Sequence, residues 1–385
     1  MNLSAQFYKK SSAKAKNLLV VNKGPGALSL SRERDAWDLL EIYFMEPDIR
    51  SIEAGTKKTD ADFVVFERDR MKRKFAIIKA IFRSDSFWRH YERVMMADDD
   101  VIPVGCNFSD IFNLFERAGA RFGQPALTHD SFYSHIVTLQ NMNFVWRRTN
   151  FSEVMCPIFT REALADHLDS FDETISGFGL DILWSFVEWT KHGGAAILDA
   201  TPIRHTRPVG AGVAYRGLTA HDELRQFVMS RRLPIVPQCC YGGKTSGKAI
   251  DDVLTGQTWA DAYARVSALD QPRVRHHLRT EAAIIDLCMK INPDFLLNVE
   301  NATDSARITH VAAVSLRMID PVRQCPLPRE TALRRSLRLG KLPMRRLRDI
   351  CRRIFHLKLG SKICGGESDS YGSRRAPPDN WTAVL

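Results

Sequence analysis

The sequence lacks any apolar run long enough to cross a membrane as a helix, which takes about 18 residues. It has no Cys-x-x-Cys pair among its eight cysteines, so a zinc ribbon and a disulfide framework are excluded and the thiols are expected to be reduced. Residues 1–16 contain four lysines and no continuous apolar stretch, so we expect a mobile leader and no signal peptide. What is present, 44% apolar and 26% charged residues among 385, is typical of a folded protein of one or two domains, which we expect in the cytoplasm.

Acidic residues are scarce in one segment near the carboxyl end. Residues 331–362, the basic segment, hold eleven Lys or Arg and one acid, whereas the rest of the chain is neutral in sum. A fold that binds nucleic acid through its body would spread its positive charge, so nucleic acid is an unexpected partner. Leu and Ile recur every three or four residues between the arginines, which predicts two amphipathic helices divided by Pro343. They suit an anionic membrane surface; a solvated surface helix and a polyanion-binding arm are the alternatives.

Short apolar runs alternate with stretches of helical periodicity over the first half of the chain. This alternation predicts an α/β fold with a mostly parallel sheet flanked by helices. The predicted strands are residues 17–22, 62–67, 91–97, 122–127, 151–159 and 195–199. The predicted helices are residues 36–44, 75–82, 109–118, 161–170 and 180–192.

The pattern changes after about residue 215, and composition divides the chain into five parts. We expect a leader at 1–16, a catalytic domain at 17–215, a helical extension at 216–328, basic amphipathic helices at 329–364 and a disordered tail at 365–385. Three prolines between residues 320 and 328 mark the candidate linker before the basic helices. The tail is assigned as disordered because it is rich in Ser, Gly and Pro.

Three consecutive aspartates, residues 98–100, follow the predicted strand at residues 91–97. Hard divalent cations prefer oxygen ligands, and two carboxylates two residues apart after a strand can share a cation with phosphate groups. Ligands of open α/β sheets bind at that end of the strands. The pattern Asp-x-Asp alone is weak, because Asp60 and Asp62 match it before a strand. A solvated acidic turn and a helix N-terminal cluster are the other interpretations of the triplet.

Five stretches, in this order and at about this spacing, resemble one protein family. They are MMADDDV, FGQPALTHDS, RRTNFSEVMCPIFTREAL, SGFGLDILW and ILDATPIRHTRPVG, within residues 17–212. The family is widespread in plants and bacteria, and its plant members carry the label "lysine ketoglutarate reductase trans-splicing related". It is regarded as glycosyltransferase-like, with the GT-A type of nucleotide-sugar-binding α/β fold. The resemblance therefore implies a GT-A-like fold with a helical carboxyl-terminal extension.

The resemblance also implies roles for single residues. The candidate donor-binding residues are Asn22, Lys23, Lys74, Asp98 and Asp99. The implied ligands of a Mn²⁺ or Mg²⁺ ion are Asp98, Asp100 and His205. Asp181, in a glycine-plus-acid motif, would contact or deprotonate the acceptor hydroxyl. Arg207 departs from the uncharged pattern expected after the histidine and is a candidate contact for phosphate.

Chemistry alone is compatible with these assignments. A neutral imidazole is a good companion to carboxylates at a Mn²⁺-like ion. Asp181 follows two glycines at the start of a predicted helix, where an aspartate is a catalytic group, a helix cap, or both. Glu153 lies in an otherwise apolar predicted strand, so it either faces a pocket as a second catalytic carboxylate or pairs with Arg147 or Arg148.

The leading expectation is a metal-dependent, hexosyltransferase-like enzyme. It would move a sugar from a nucleoside-diphosphate sugar to a hydroxyl of a glycan or lipid-linked acceptor, in cell-surface polysaccharide synthesis. The basic segment would attach it peripherally to the inner membrane surface. Two other classes compete: a metal-dependent phosphohydrolase or nuclease, which would need more carboxylates around two metals, and a non-enzymatic protein that binds polyanions through the basic segment.

Overall fold

The computed structural model describes residues 5–9, 15–24, 36–68, 74–208, 214–215, 217–234, 238–247, 272–274 and 276–277. Contacts divide the chain into a unit of residues 1–233 and 238–311 and a second unit of residues 234–237 and 312–385. The basic segment, the expected disordered tail and most of the expected helical extension lie outside the described residues. Within the described ranges, no helix is long and apolar enough to span a membrane.

In the described part of the chain, eleven strands form one sheet and two short strands pair separately. The strands are β1 Ala5–Lys9, β2 Asn17–Lys23, β3 Asp38–Tyr43, β4 Phe63–Glu67, β5 Arg93–Ala97, β6 Val101–Pro103, β7 Phe122–Leu127, β8 Phe144–Thr149, β9 Ile158–Thr160, β10 Ala195–His205, β11 Ala214–Tyr215, β12 Leu218–Thr219 and β13 Cys240–Thr245. Their order across the sheet is β1-β4-β3-β2-β5-β9-β7-β10-β8-β13, and β6 pairs with β10.

The sheet contains a parallel block of four strands, β4-β3-β2-β5, and a parallel pair, β7 and β10. β2 pairs in parallel with β3 and β5, β3 with β4, and β7 with β10. β9 lies antiparallel between β5 and β7, so these two strands run in the same direction. The expected α/β class with a large sheet flanked by helices is confirmed, but the sheet is mixed: among the described strands four of its pairings are parallel and six are antiparallel.

The α-helices found in the described ranges are α1 Glu46–Glu53, α2 Lys74–Ser84, α3 Phe108–Ala118, α4 Arg161–His167, α5 Leu180–His192 and α6 Ala220–Arg231. The apolar sides of α2 and α5 pack against β2 and β5 in one buried cluster that includes Val20, Ile78 and Trp184. α3 packs beside β10 and begins at a capping box between Asn107 and Asp110, which satisfies backbone N–H groups at the helix start. The predicted helices at 75–82, 109–118 and 180–192 are confirmed, and 161–170 is α4 followed by a 3₁₀ turn.

Two predicted elements are wrong. Residues 36–44, predicted as a helix, contain strand β3, whose six residues are all buried. Its acidic residues Asp38 and Glu41 are three positions apart, as on one face of a helix, and its apolar residues do not alternate with polar ones as in a half-buried strand. Residues 151–159, predicted as a strand, are irregular up to residue 157 and only then enter β9.

In two further segments the structure contains more strand than the sequence predicted. Residues 5–9, within the expected mobile leader, form β1, which pairs antiparallel with β4. The strand predicted at residues 195–199 continues as β10 to His205 through an irregularity between Leu198 and Ile203. This continuation brings His205 opposite Val101, directly after the acidic triplet.

The direction in which successive strands are added to the sheet reverses between β2 and β5. After β2 the chain adds β3 and β4 on one side, whereas β5 pairs with the other side of β2. In open α/β sheets such a reversal leaves a crevice outside the carboxyl ends of the two strands. Residues 22–24 form the end of β2 and the residue after it, and residues 98–100 follow β5, so the triplet lies at the crevice.

Candidate active site

Lys74, the first residue of α2, is directed at the acidic triplet. Its Nζ lies 2.9 Å from Oδ1 of Asp98 and 3.2 Å from the carbonyl oxygens of Val154 and Met155. An ammonium group has three donors, and these three acceptors match them. The Lys74 side chain is 10% exposed and that of Asp98 37%, so the cation is withdrawn from water beside an accessible carboxylate. Lys74 thereby joins the end of β5 to the irregular segment 151–157.

Asp99 bridges the two sides of the crevice. Its Oδ2 accepts a hydrogen bond from the backbone N–H of Gly24 at 3.0 Å, and its Oδ1 contacts Arg207. A Cβ at position 24 would lie 2.6 Å from that Oδ2, so a larger residue there would displace the Asp99 carboxylate. Burial, with the like charges of Asp98 and Asp100, raises the pKa of Asp99 above its usual value although Arg207 opposes the rise.

Asp100 contacts two basic side chains, His205 and Arg207, through one carboxylate oxygen. Its Oδ2 lies 3.0 Å from Nε2 of His205 and 2.9 Å from Nε of Arg207. Burial favours a higher pKa for Asp100, but hydrogen bonds from His205 and Arg207 outweigh burial and hold the pKa below its usual value. Nδ1 of His205 lies 2.8 Å from the carbonyl oxygen of Phe132, which only accepts, so Nδ1 carries a proton and Nε2 faces Asp100.

The distance between Asp100 and His205 can be compared with the spacing of two ligands of a divalent cation. Two neighbouring ligands of an octahedral ion with bonds of about 2.1 Å lie about 3.0 Å apart, and the separation between Nε2 and Oδ2 is 3.0 Å. The separation thus suits two ligands of one ion, which Nε2 would bind only after it has lost its proton and its hydrogen bond to Oδ2. The third expected ligand, Asp98, is held by Lys74 instead. Within the described residues, no group of three or more His, Cys, Asp or Glu side chains is arranged to hold a metal ion.

Two more carboxylates are buried in this region. Asp181 is 7% exposed and begins α5, where its Oδ1 accepts hydrogen bonds from the N–H groups of Gly179 and Ile182 at 3.2 and 2.9 Å. Burial raises the pKa of Asp181 to about 7 although these N–H groups oppose the rise. Gly179 has a φ of 95°, and a Cβ there would lie 2.7 Å from Phe227, so the glycine before this aspartate is required by the backbone and by the packing.

Glu153 lies on the irregular segment and is 5% exposed. Burial raises its pKa to about 8, and the charge of Asp181 adds to the rise while His205 opposes it. Both carboxyl groups therefore have pKa values near neutral pH or above it, and the ionisation of one raises the pKa of the other. Of the two alternatives for Glu153, a pairing with an arginine is not among the contacts described for it: Arg147 pairs with Asp199, and Arg148 donates to the carbonyl oxygen of Ala118.

Sequence reasoning missed the residues that hold Glu153 in place. Gln124 of β7 is fully buried, and its Oε1 accepts hydrogen bonds from the Glu153 N–H at 2.5 Å and the Ser152 hydroxyl at 3.2 Å. Ser185, one turn after Asp181 on α5, accepts from the Ser152 N–H at 3.0 Å. A glutamine inside an apolar strand was the available signal, since a buried amide needs partners.

The remaining expected donor-binding residues lie at the end of β2. Asn22 follows Val21, which pairs with Ala97, so it stands next to the triplet in register. Its Oδ1 is buried and has no hydrogen-bond partner in the described part of the chain. Lys23 is directed away from the triplet, with its Nζ 3.3 Å from Oε1 of Glu41 on β3.

No family model matches the chain, and no curated protein matches it. Solved structures do resemble it remotely. GalNAc-T7 with UDP, GalNAc and Mn²⁺ is 9% identical at a TM-score of 0.42, over 71% of this chain and 56% of that one. TarS from S. aureus in complex with UDP-GlcNAc is 9% identical at a TM-score of 0.40, over 77% and 90%. A197 from STIV is 12% identical at 0.27, over 50% and 86%. Both GalNAc-T7 and TarS are GT-A glycosyltransferases, but likenesses this remote identify neither the family nor the function of this chain.

Proposed function

We propose that this chain is a glycosyltransferase that moves a sugar from a nucleoside-diphosphate sugar to a hydroxyl group. The observation that carries the proposal is the convergence, at the reversal point of the sheet, of an acidic triplet contacted by cationic side chains with two buried carboxylates of raised pKa. Sugar transfer needs both kinds of group. Negative charge develops on the diphosphate as its bond to the sugar breaks, and the attacking hydroxyl loses a proton.

The donor would bind along residues 22–24 and the triplet. Asp98 and Asp99 would face its nucleoside, and the buried Oδ1 of Asn22 offers an acceptor for a donor N–H or hydroxyl. Lys23 would contact the donor only after leaving the Glu41 carboxylate. Lys74 supplies a positive charge where the diphosphate would lie. Asp100 and His205 would hold a Mn²⁺ or Mg²⁺ ion, which when bound would neutralise charge on the leaving diphosphate.

The acceptor would bind on the side of Asp181 and Glu153. With a pKa of about 7, Asp181 is the better base, and its carboxylate would take the proton of the acceptor hydroxyl as in an inverting transfer. Glu153, protonated at neutral pH, would donate a hydrogen bond to an acceptor or sugar oxygen. Two neighbouring carboxyl groups that titrate in sequence thus take different roles.

The acceptor class and the cellular location rest on the sequence alone. The basic segment suits an anionic membrane surface, so we propose a glycan or lipid-linked acceptor at the inner membrane surface. A chain truncated before residue 331 should be lost from the membrane fraction while the full chain is retained. Equal retention of both forms would contradict this location.

The experiment that tests the proposed function is calorimetric binding of UDP and GDP, with and without Mn²⁺. UDP is chosen because it is present in the GalNAc-T7 structure. The variant is Asp98→Ala/Asp100→Ala, and the control is Asp166→Ala/Asp169→Ala, which removes two exposed carboxylates outside the site. Metal-dependent binding that is lost in the first variant and kept in the control supports the proposal. Absence of binding of either nucleotide to the folded wild type would overturn it.

A further inference from the structure

Arg207 already lies where a cation would be expected to bind. Its Nε is 2.9 Å from Oδ2 of Asp100, and its Nη2 contacts Oδ1 of Asp99, so one guanidinium spans two carboxylates. The side chains of both aspartates are 11% exposed, whereas that of Arg207 is 44% exposed. The guanidinium therefore lies at the mouth of the crevice with the carboxylates beneath it.

The contact with Asp100 uses the same oxygen that faces His205. Oδ2 of Asp100 is 3.0 Å from Nε2 of His205 and 2.9 Å from Nε of Arg207. A divalent ion held between Asp100 and His205 would need this oxygen. A second cation on the same atom, in a place with little access to water, would repel the ion. Arg207 and a divalent ion therefore compete for Oδ2.

The guanidinium has an alternative partner once a nucleotide is present. Phosphate oxygens accept paired N–H groups of arginine as carboxylates do, and the mouth of the crevice is where the diphosphate of the proposed donor would enter. We infer that Arg207 is an internal competitor of the divalent cation at Asp100, and that it moves from the two aspartates to the diphosphate when the donor binds. This inference rests on the proposed function and adds to it an order of events: the nucleotide opens the cation site.

The test is the affinity for Mn²⁺ in the absence of nucleotide, measured by calorimetry on the full chain. Arg207→Gln should bind Mn²⁺ about tenfold more tightly than the wild type, because a charge-assisted contact to a partly exposed guanidinium no longer competes. Arg207→Lys should fall between them, since an ammonium lacks the planar fork that spans both carboxylates. Arg204→Gln is the matched control: Arg204 is on β10, its side chain is 46% exposed, and it pairs only with the exposed Asp130 among the contacts described for it.

Addition of UDP distinguishes this inference from the proposed function. UDP should tighten Mn²⁺ binding in the wild type, and the factor of tightening should be about tenfold smaller in Arg207→Gln, whose competitor is already absent. Equal or weaker Mn²⁺ binding by Arg207→Gln without nucleotide, or no Mn²⁺ binding by either protein, overturns the inference even if UDP binds. Failure of UDP to bind the wild type overturns the proposed function and leaves the Mn²⁺ comparison to be judged by itself. Matching thermal unfolding midpoints verify that the variants are folded.

Discussion

Replacement of Glu153 by glutamine should change how the stability of the protein depends on pH. The Glu153 carboxyl is buried among Asp181, His205, Asp98 and the Ser134 hydroxyl, and burial raises its pKa from 4.5 to about 8. Because the pKa is higher in the folded state, the stability that this group contributes is complete below about pH 4.5 and is lost as the pH rises through about 8. Glutamine has nearly the same shape and does not ionise, so the stability of the Glu153→Gln variant should not fall in this way as the pH rises.

The size of the effect follows from the pKa. One pKa unit corresponds to about 1.4 kcal/mol, so the whole rise from 4.5 to about 8 corresponds to about 5 kcal/mol. Between pH 5 and pH 8 the free energy of unfolding of the glutamine variant, relative to the wild type, should increase by about 3 kcal/mol. That is a large part of the stability of an ordinary domain, which is about 5–15 kcal/mol.

The assay is urea unfolding of both proteins at pH 5 and pH 8, with the free energy of unfolding extrapolated to water. Glu116→Gln on α3 is the control, because its side chain is 53% exposed and only a small change is expected there. If the stability difference between the Glu153→Gln variant and the wild type were the same at both pH values, Glu153 would be ionised in the folded protein at pH 5, and its role as a proton donor would be refuted.

Three further predictions concern the same site. Transfer activity, measured as kcat/KM, should rise through about pH 7 as Asp181 ionises and fall above about pH 8 as Glu153 ionises; Asp181→Asn should lower kcat by about 10²–10⁴, whereas Asp110→Asn, in the exposed first turn of α3, should not. Gly24→Ala should weaken UDP binding by about tenfold with little change in thermal stability, because its Cβ displaces the Asp99 carboxylate; unchanged binding would contradict this. Gln124→Leu should lower the free energy of unfolding by about 2–4 kcal/mol, because the Glu153 N–H and the Ser152 hydroxyl both lose their acceptor. A decrease of less than about 0.5 kcal/mol would contradict this prediction.

Local sequence patterns predicted the parts of the fold that local forces determine. The apolar runs of β2, β5 and β7 and the apolar faces of α2, α3 and α5 lie where the periodicity put them. β3 was missed because a strand buried on both faces has no polar alternation. β1 was missed because its five residues are stabilised by pairing with β4, nearly sixty residues away, and not by their own composition.

The part of the candidate site that directly follows one strand could be predicted from the sequence. The part that depends on contacts between segments distant in the sequence could not. The position of the triplet followed from the apolar run before it. The contact of Arg207 with Asp99 and Asp100 spans more than one hundred residues and depends on β10 continuing to His205 beside β6. Likewise, the placement of Glu153 depends on a hydrogen bond to Gln124 from β7. It also depends on the irregular segment 151–157, whose apolar composition led to the wrong prediction of a strand.

The pKa of Asp181 bears on the two interpretations, catalytic group and helix cap, that its sequence position left open. An aspartate that only caps a helix is stabilised as an anion by the N–H groups of the first turn, and its pKa falls. Asp181 receives two such hydrogen bonds, yet burial raises its pKa to about 7, so the folded protein disfavours the carboxylate relative to an exposed aspartate. Capping therefore does not account for an acid at this position, since an asparagine would accept the same hydrogen bonds without the desolvation of a charge. A carboxyl group that gains and loses a proton near neutral pH is what the proposed transfer requires of its base, and the raised pKa of Asp181 agrees with that proposal.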